Sequence, residues 1–337
     1  MTKIKLGLLG CGRIAQFHLK ALQDQTECYE IIAVADTLPN RATDIAHHYG
    51  TRAYPTLEAM LQAEKLDLIV LCTPSGLHPA QAKLCAEAGV ACLSEKPFGC
   101  FYQEALDVVE FFEQRNVPLF IVHQNRYNPT VQKVRKWFEE GMFGELYLIQ
   151  ANVFWQRPQA YYDAEPWRGK RNLDGGAFMN QASHYVDLVQ WFGGEVANVK
   201  SEISRLGRNI ECEDTGAAVI RFTSNAIGVL AVTMLTYPEN QEGSLMIVAE
   251  NATIKIGGKA LNKLEICKAK DEAVFSDIQN INYEPTTIYG NGHSEYYKKL
   301  HTFIKQPCYP SEAISGREGL KSLKLLTDIY KEQDLLQ

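Results

Sequence analysis

Ile4-Lys5-Leu6-Gly7-Leu8-Leu9-Gly10-Cys11-Gly12-Arg13-Ile14-Ala15 is a compact apolar strand that runs into a Gly-x-Gly-x-x-Ala turn, and a helical pattern follows through Leu22. Strand, glycine turn and helix in that order form the fingerprint of a dinucleotide-binding βαβ unit. Gly10 permits the tight turn, Gly12 lets backbone approach a pyrophosphate, and Ala15 is small enough for helix to pack on strand. Unpaired N–H groups at the helix start then face the phosphates. A second apolar strand over residues 30–35 ends in Asp36, whose carboxylate sits in register to accept hydrogen bonds from ribose hydroxyls and to repel a 2′-phosphate. The expected cofactor is therefore NAD rather than NADP.

Outward from this unit the same alternation continues. Helical patterns at 57–62 and 80–88 flank an apolar strand at 66–72, which stops at Thr73-Pro74-Ser75-Gly76-Leu77-His78. The small apolar run at 89–93 ends in Ser94-Glu95-Lys96-Pro97-Phe98. A helix over 103–114 and a strand over 117–122 follow, the latter running into His123-Gln124-Asn125-Arg126-Tyr127-Asn128-Pro129. Strands alternating with helices imply a doubly wound parallel sheet, with ligands beyond the strands' carboxyl ends. Lys96 stands at such an end, where desolvation and a neighbouring charge suit a lysine to proton transfer. The Thr-Pro-Ser turn is expected to line the cofactor site, with His78 capping the next helix or touching the cofactor.

Past Gly144 the pattern becomes long alternating strands at 146–155, 196–205, 217–223, 227–236, 244–249 and 253–256, the mark of an antiparallel sheet with one packed and one polar face. The expected fold is an α/β Rossmann domain at 1–124, followed at 125–337 by an α+β domain with a large, mostly antiparallel open sheet. That second domain would bind substrate and join subunits, and the C-terminal helix would pack back on the first. Between the first long strand and the rest lie Arg157-Pro158-Gln159-Ala160-Tyr161-Tyr162, Trp167-Arg168-Gly169-Lys170 and Asp174-Gly175-Gly176-Ala177. A helix expected at 178–192 carries Asn180, His184 and Asp187 at spacings that put all three on one face, amid Phe178, Met179, Val186 and Leu188. Carboxamide, imidazole and carboxylate beside a Gly-Gly entry point to a site rather than a packing surface.

The length of 337 residues suits two domains, and 46% hydrophobic with 22% charged residues describes a globular chain. A net charge of −6 without a basic stripe argues against nucleic acid as a partner. No apolar run reaches membrane-spanning length and no signal peptide is read at the start. Nine cysteines scattered singly at 11, 28, 72, 85, 92, 100, 212, 267 and 308 suit reduced thiols in a cytoplasm and suggest no metal site.

With these motifs in place, the chain resembles the glucose-fructose oxidoreductase, inositol dehydrogenase and rhizopine catabolism (Gfo/Idh/MocA) family over essentially its whole length. The resemblance is carried by the Gly10 to Ala15 turn, Thr73 to His78, Glu95-Lys96-Pro97, and the block from Gly175-Gly176 to His184-Tyr185-Val186-Asp187. The family pattern usually reads Asp-x-Gly-x-His where this chain has Asn180-Gln181-Ala182-Ser183-His184, which removes one carboxylate. That substitution, the run from Arg157 to Asp187, Met234 to Pro238, Tyr289-Gly290-Asn291-Gly292-His293 and Gly316 to Leu320 are similar to one subgroup. Its members are the UDP-N-acetyl-2-amino-2-deoxyglucuronate (UDP-GlcNAcA) 3-dehydrogenases.

The resemblance implies NAD-dependent oxidation of a sugar hydroxyl in surface-polysaccharide assembly such as lipopolysaccharide O-antigen, a nucleotide-sugar substrate, and a homotetramer or homodimer paired through the antiparallel sheet. It implies Lys96 and His184 as catalytic residues on opposite domains facing one cleft. Gly10, Gly12, Arg13, Ile14, Asp36, Thr73, Pro74, Ser75, His78, Glu95, Lys96, Gln124, Trp167 and Arg168 would hold the cofactor. Lys96, Arg157, Tyr161, Asn180 and His184 would hold the substrate. Chemistry alone requires an acceptor for the hydroxyl proton, and either Lys96 or His184 serves, the other stabilising the oxygen. Arg157, Arg168 and Lys170 are the cations available to a diphosphate and a uronate. The alternatives are a dehydrogenase of another sugar or polyol, inositol-like, and a dinucleotide-binding regulator that turns nothing over.

Overall fold

In the computed structural model, residues 3–270, 281–285, 290, 292–305 and 314–331 are described. Tyr289, Asn291 and Cys308 of the sequence reading lie outside them. The chain divides into two compact units, Met1–His123 with His293–Leu320, and Gln124–Gly292 with Lys321–Gln337.

The first unit holds six parallel strands: β1 (Ile4–Leu9), β2 (Tyr29–Ala35), β3 (Arg52–Tyr54), β4 (Leu68–Leu71), β5 (Ala91–Ser94) and β6 (Leu119–Ile121). Their order, β3-β2-β1-β4-β5-β6, reverses direction at β1, so the strand carrying the glycine turn lies at the switch point of a doubly wound sheet. β4, β5 and β6 are buried along their whole length, which is why they read as unbroken apolar runs rather than alternations. β3, of three residues, is an edge strand with little apolar content and left no pattern in the sequence. After the second unit the chain rejoins the first: helix Gly292–Lys305 adds Tyr297 and Leu300, both fully buried. Ser315 bridges to Phe120 beside β6, and the Ile121 amide donates to the Ile314 carbonyl at 3.1 Å.

The second unit is built on β7 (Leu146–Phe154), β8 (Val196–Ser204), β9 (Thr215–Phe222), β10 (Ile227–Thr233), β11 (Glu242–Ala249), β12 (Ala252–Gly257) and β13 (Lys263–Ala269). The order is β13-β12-β11-β7-β10-β9-β8, every pair antiparallel except β7 with β10. Alternate residues of β7 and β10 are buried and carry helix Ser183–Gly193. Tyr147 and Val219 stand half exposed, and Ile266 on β13 is also exposed. Among the described residues no helix is long and apolar enough to cross a membrane.

Candidate active site

In the first unit the site begins where β1 ends. Gly10 has φ +90°, and a Cβ there would lie 2.8 Å from the Cys72 backbone, so neither conformation nor space admits a side chain. A Cβ on Gly12 would instead point into open space, with nothing within 4 Å. Gly12 precedes helix Arg13–Gln23, which has no side-chain cap and no acid in its first turn. Uncapped N–H groups below an open surface fit the pyrophosphate of a dinucleotide. Asp36 is buried at the end of β2. Its carboxylate accepts from the Cys11 amide at 2.7 Å and the Leu38 amide at 2.8 Å, so it fixes the glycine turn from below. Burial and the neighbouring Asp36 push the Cys11 thiol up to about 12, which leaves it protonated and inert.

The loops after β4 and β5 are clasped by His78. Its Nδ1 lies 2.9 Å from the Pro97 carbonyl and its Nε2 2.9 Å from the Thr73 carbonyl. Burial lowers its pKa against the pull of those two carbonyls; the neutral ring has one N–H and donates to one of them at a time, lying between the two strand-end loops at the start of helix His78–Glu87. Thr73 donates to Gln81 at 2.5 Å, and Ser75 is buried next to Pro74. Glu95 continues β5 through its amide on the Leu71 carbonyl, and its Oε2 accepts the Lys96 amide at 3.1 Å. Lys96 is half-buried. The other oxygen of Glu95 lies 2.9 Å from His18 Nε2 and 3.5 Å from His293 Nε2. His18, Glu95 and His293 offer donor atoms within 4.8 Å of one another, the kind of cluster that cysteine spacing had not suggested. The three are drawn from distant parts of the chain, so no local motif announces them.

In the second unit the helix expected at 178–192 is broken. Ala177–Gln181 forms a π-helical turn, closed by the Ala182 amide on the Ala177 carbonyl at 2.8 Å, and the α-helix runs only over Ser183–Gly193. Glu213 caps the start of this turn. Its backbone carbonyl takes the Ala177 amide at 3.1 Å, its Oε1 takes the Phe178 amide at 2.9 Å, and Tyr330, which donates to the same oxygen, lies on the Met179 amide. A Cβ on Gly176 would fall 1.8 Å from Glu213 Oε2, so only glycine fits beside it. Burial pushes the Glu213 carboxyl up to about 7, against the hydrogen bonds it accepts.

The break falls between Asn180, on the π-turn, and His184 and Asp187, which stay three residues apart on one α-helix. Asn180 donates to Asp174, whose other oxygen accepts the Gly169 amide at 2.6 Å. His184 meets Gln124, Nε2 to Nε2 at 2.9 Å, a contact in which one nitrogen must accept. Turning the Gln124 carboxamide over would bring its oxygen, which has no hydrogen-bond partner among the described residues, onto a His184 N–H. Asp187 is held by Arg126 in a two-point buried ion pair at 2.8 and 2.7 Å, with the guanidinium 4.8 Å from the Trp191 ring centre. Asp187 is thus a structural anchor, and Arg126, which the sequence reading passed over, is its counter-ion.

Arg157 and Arg168 both stack on Tyr161, at 5.4 and 4.3 Å from its ring centre. Arg157 also donates to Gln181 at 2.9 Å, and Gln181 donates to the Tyr161 hydroxyl at 3.1 Å. Trp155 and Trp167 lie against the same guanidinium groups, giving a shelf of cationic and aromatic planes. Lys170, by contrast, is exposed and paired with Glu211 at 2.7 Å.

Comparison with known proteins decides the family. Residues 4–123 match the oxidoreductase family model with an NAD-binding Rossmann fold, and residues 131–255 match the GFO/IDH/MocA C-terminal domain. The chain belongs to the Gfo/Idh/MocA oxidoreductase family. As a member it has an NAD-binding first domain. The WlbA dehydrogenase from Bordetella pertussis, solved with NADH and UDP-GlcNAcA, superposes with a TM-score of 0.94 at 44% identity, over 98% of this chain and 96% of that one. Among curated family members, rhizopine catabolism protein MocA of Rhizobium meliloti is 31% identical over 58% of this chain. UDP-N-acetylglucosamine 3-dehydrogenase of Acidithiobacillus ferrooxidans is 31% identical over 60% of it. The chain spans 59% and 58% of those two proteins' own lengths.

Proposed function

We propose that this NAD-dependent sugar dehydrogenase oxidises the 3-hydroxyl of UDP-N-acetylglucosaminuronate, a step that serves surface-polysaccharide synthesis such as lipopolysaccharide O-antigen. The observation that carries the reading is the likeness, over nearly the whole of both chains, to a dehydrogenase solved with NADH and that nucleotide sugar. The bound nicotinamide supplies the hydride acceptor. Lys96 and His184 divide the remaining work: one takes the hydroxyl proton and the other holds the oxygen as negative charge develops. Gln124 sets the His184 ring by hydrogen bonding at Nε2. Arg157 and Arg168 present guanidinium planes to the diphosphate and the carboxylate, and Tyr161 keeps the two in place. Gly10, Gly12, Arg13 and Ile14 take the pyrophosphate, Asp36 the adenosine ribose, and the 73–78 loop with Glu95 the nicotinamide half.

The chain works in the cytoplasm as a homodimer or homotetramer through the second unit's sheet, whose exposed Tyr147, Val219 and Ile266 suit such a contact. Sedimentation at micromolar concentration is expected to show a species of at least twice the 37.9 kDa chain; a single monomeric species would refute the assembly. The substrate is tested by NADH absorbance with UDP-GlcNAcA, UDP-N-acetylglucosamine, the uronate without its nucleotide, and inositol, each with and without an added keto acid to reoxidise bound cofactor. UDP-GlcNAcA is expected to exceed the sugar without nucleotide in kcat/KM by roughly a hundredfold or more, the scale of lost charge-assisted hydrogen bonds. A preference for inositol would move the chain to the polyol dehydrogenases. NAD binding without turnover of any sugar would make it a regulator.

A further inference from the structure

We propose that His18 and His293, acting through Glu95, are positioning residues for Lys96. Both imidazoles are buried, His18 with no exposed surface, and neither has a place in the hydride chemistry. The connection is continuous. Tyr29 donates to the Tyr297 carbonyl at 2.8 Å, the Tyr297 hydroxyl lies 2.8 Å from His18 Nδ1, and His18 Nε2 lies 2.9 Å from Glu95 Oε1. His293 approaches the same oxygen at 3.5 Å, with its ring centre 5.0 Å from that of His18. The far oxygen of Glu95 then holds the Lys96 amide. On the other side of Lys96, the Pro97 carbonyl is held by His78 and by the Gly99 amide. The peptide carrying Lys96 is therefore gripped from both sides by side chains.

Burying a carboxylate with two imidazoles to fasten one backbone amide is a costly way to fill a core, since apolar groups of equal volume pack there at lower cost. What the arrangement provides is a Glu95 that stays ionised. Burial alone would raise its pKa, and the hydrogen bonds and charges of His18 and His293 bring it well below the ordinary carboxylate range. His18 comes from the helix after the glycine turn and His293 from the helix that rejoins the unit at its end. The return of residues 293–320 to the first unit thus completes the support of Lys96.

The role given to Lys96 rests on the dehydrogenase reading, but its positioning is measurable without any sugar. The probe is pyridoxal 5′-phosphate with borohydride, and the rate of modification at Lys96 is read by peptide mass spectrometry in the folded full chain. His18→Leu removes the donor to Glu95 and is expected to speed Lys96 modification roughly fivefold, the scale of one lost hydrogen bond, while NAD binding and thermal midpoint show the fold intact. His18→Gln places an amide N–H where Nε2 stood and is expected to restore the wild-type rate. His293→Leu and His293→Gln form a second pair should His18→Leu fail to fold. An unchanged rate in the leucine variants, or glutamine variants as altered as leucine ones, would overturn the proposal. So would one metal ion per purified chain that disappears in His18→Leu, which would make the cluster a metal site. A chain that shows the expected labelling but oxidises no sugar would keep this inference and sink the dehydrogenase reading alone.

Discussion

Among the described residues each unit buries a glutamate, Glu95 next to Lys96 and Glu213 on the turn that precedes the His184 helix, and the two are treated in opposite ways. Glu95 is given two imidazoles and the Lys96 amide, and its pKa falls well below the ordinary carboxylate value. Glu213 is given a tyrosine hydroxyl and a backbone amide on one oxygen and, among the described residues, no cation, and burial lifts it to about 7. The same side chain thus serves as a permanent anion under Lys96 and as a titrating cap on the turn that leads to His184. Burial raises both carboxyls; it wins at Glu213, and at Glu95 the hydrogen bonds from the two imidazoles, with their charges, outweigh it.

The largest effect is expected from the two candidate catalytic residues. Lys96→Met and His184→Asn are each expected to lower turnover by roughly two to four powers of ten while NAD affinity changes little, because proton removal and oxyanion stabilisation act in the transition state. Steady-state kinetics and NAD titration on folded variants check this, and near-normal turnover in either variant would remove that residue from the chemistry.

Glu95→Gln leaves two buried imidazoles without their anion and is expected to cost about 3 kcal/mol in denaturant unfolding at neutral pH. Glu213→Gln is expected to do the reverse. For Glu213 the folded pKa of about 7 exceeds the ordinary 4.5. Its contribution is therefore fully present below pH 4.5 and lost as pH rises through 7, by about 3 kcal/mol at 1.36 kcal/mol per unit. The variant abolishes this loss, so relative to wild type it gains stability between pH 5 and about pH 8. Glu95 has the opposite sign: its contribution is present above the ordinary carboxylate pKa and lost only as pH falls well below it. Parallel pH slopes for the two variants would break the contrast.

The smallest effect is expected at Asp36. Its carboxylate holds the Cys11 and Leu38 amides as well as being placed for the ribose, so Asp36→Ser should narrow the preference for NAD over NADP by roughly tenfold, about the value of one charged hydrogen bond. Affinities for both cofactors that stay unchanged would confine Asp36 to the support of the glycine turn.

What the sequence determined by itself was whatever depends on neighbours in the chain. The Gly10 to Ala15 turn, the buried strands 68–71 and 91–94, the alternation of β7 to β12 and the placing of Lys96 at a strand end all follow from local sterics and periodicity. β3, three residues long, and the mostly exposed edge strand β13 carried too little pattern to be seen. Tertiary structure decided the rest. The spacing of Asn180, His184 and Asp187 promised one helical face, and the α-helix keeps only His184 and Asp187 together: Asn180 falls on a π-turn whose first amides go to Glu213 and Tyr330, and the three side chains meet Asp174, Gln124 and Arg126. His18, Glu95 and His293 met only because the chain returns to its first unit after residue 292. Hydrogen bonds between groups this far apart depend on where folding brings them, and a buried polar group takes whichever partner the packed chain supplies.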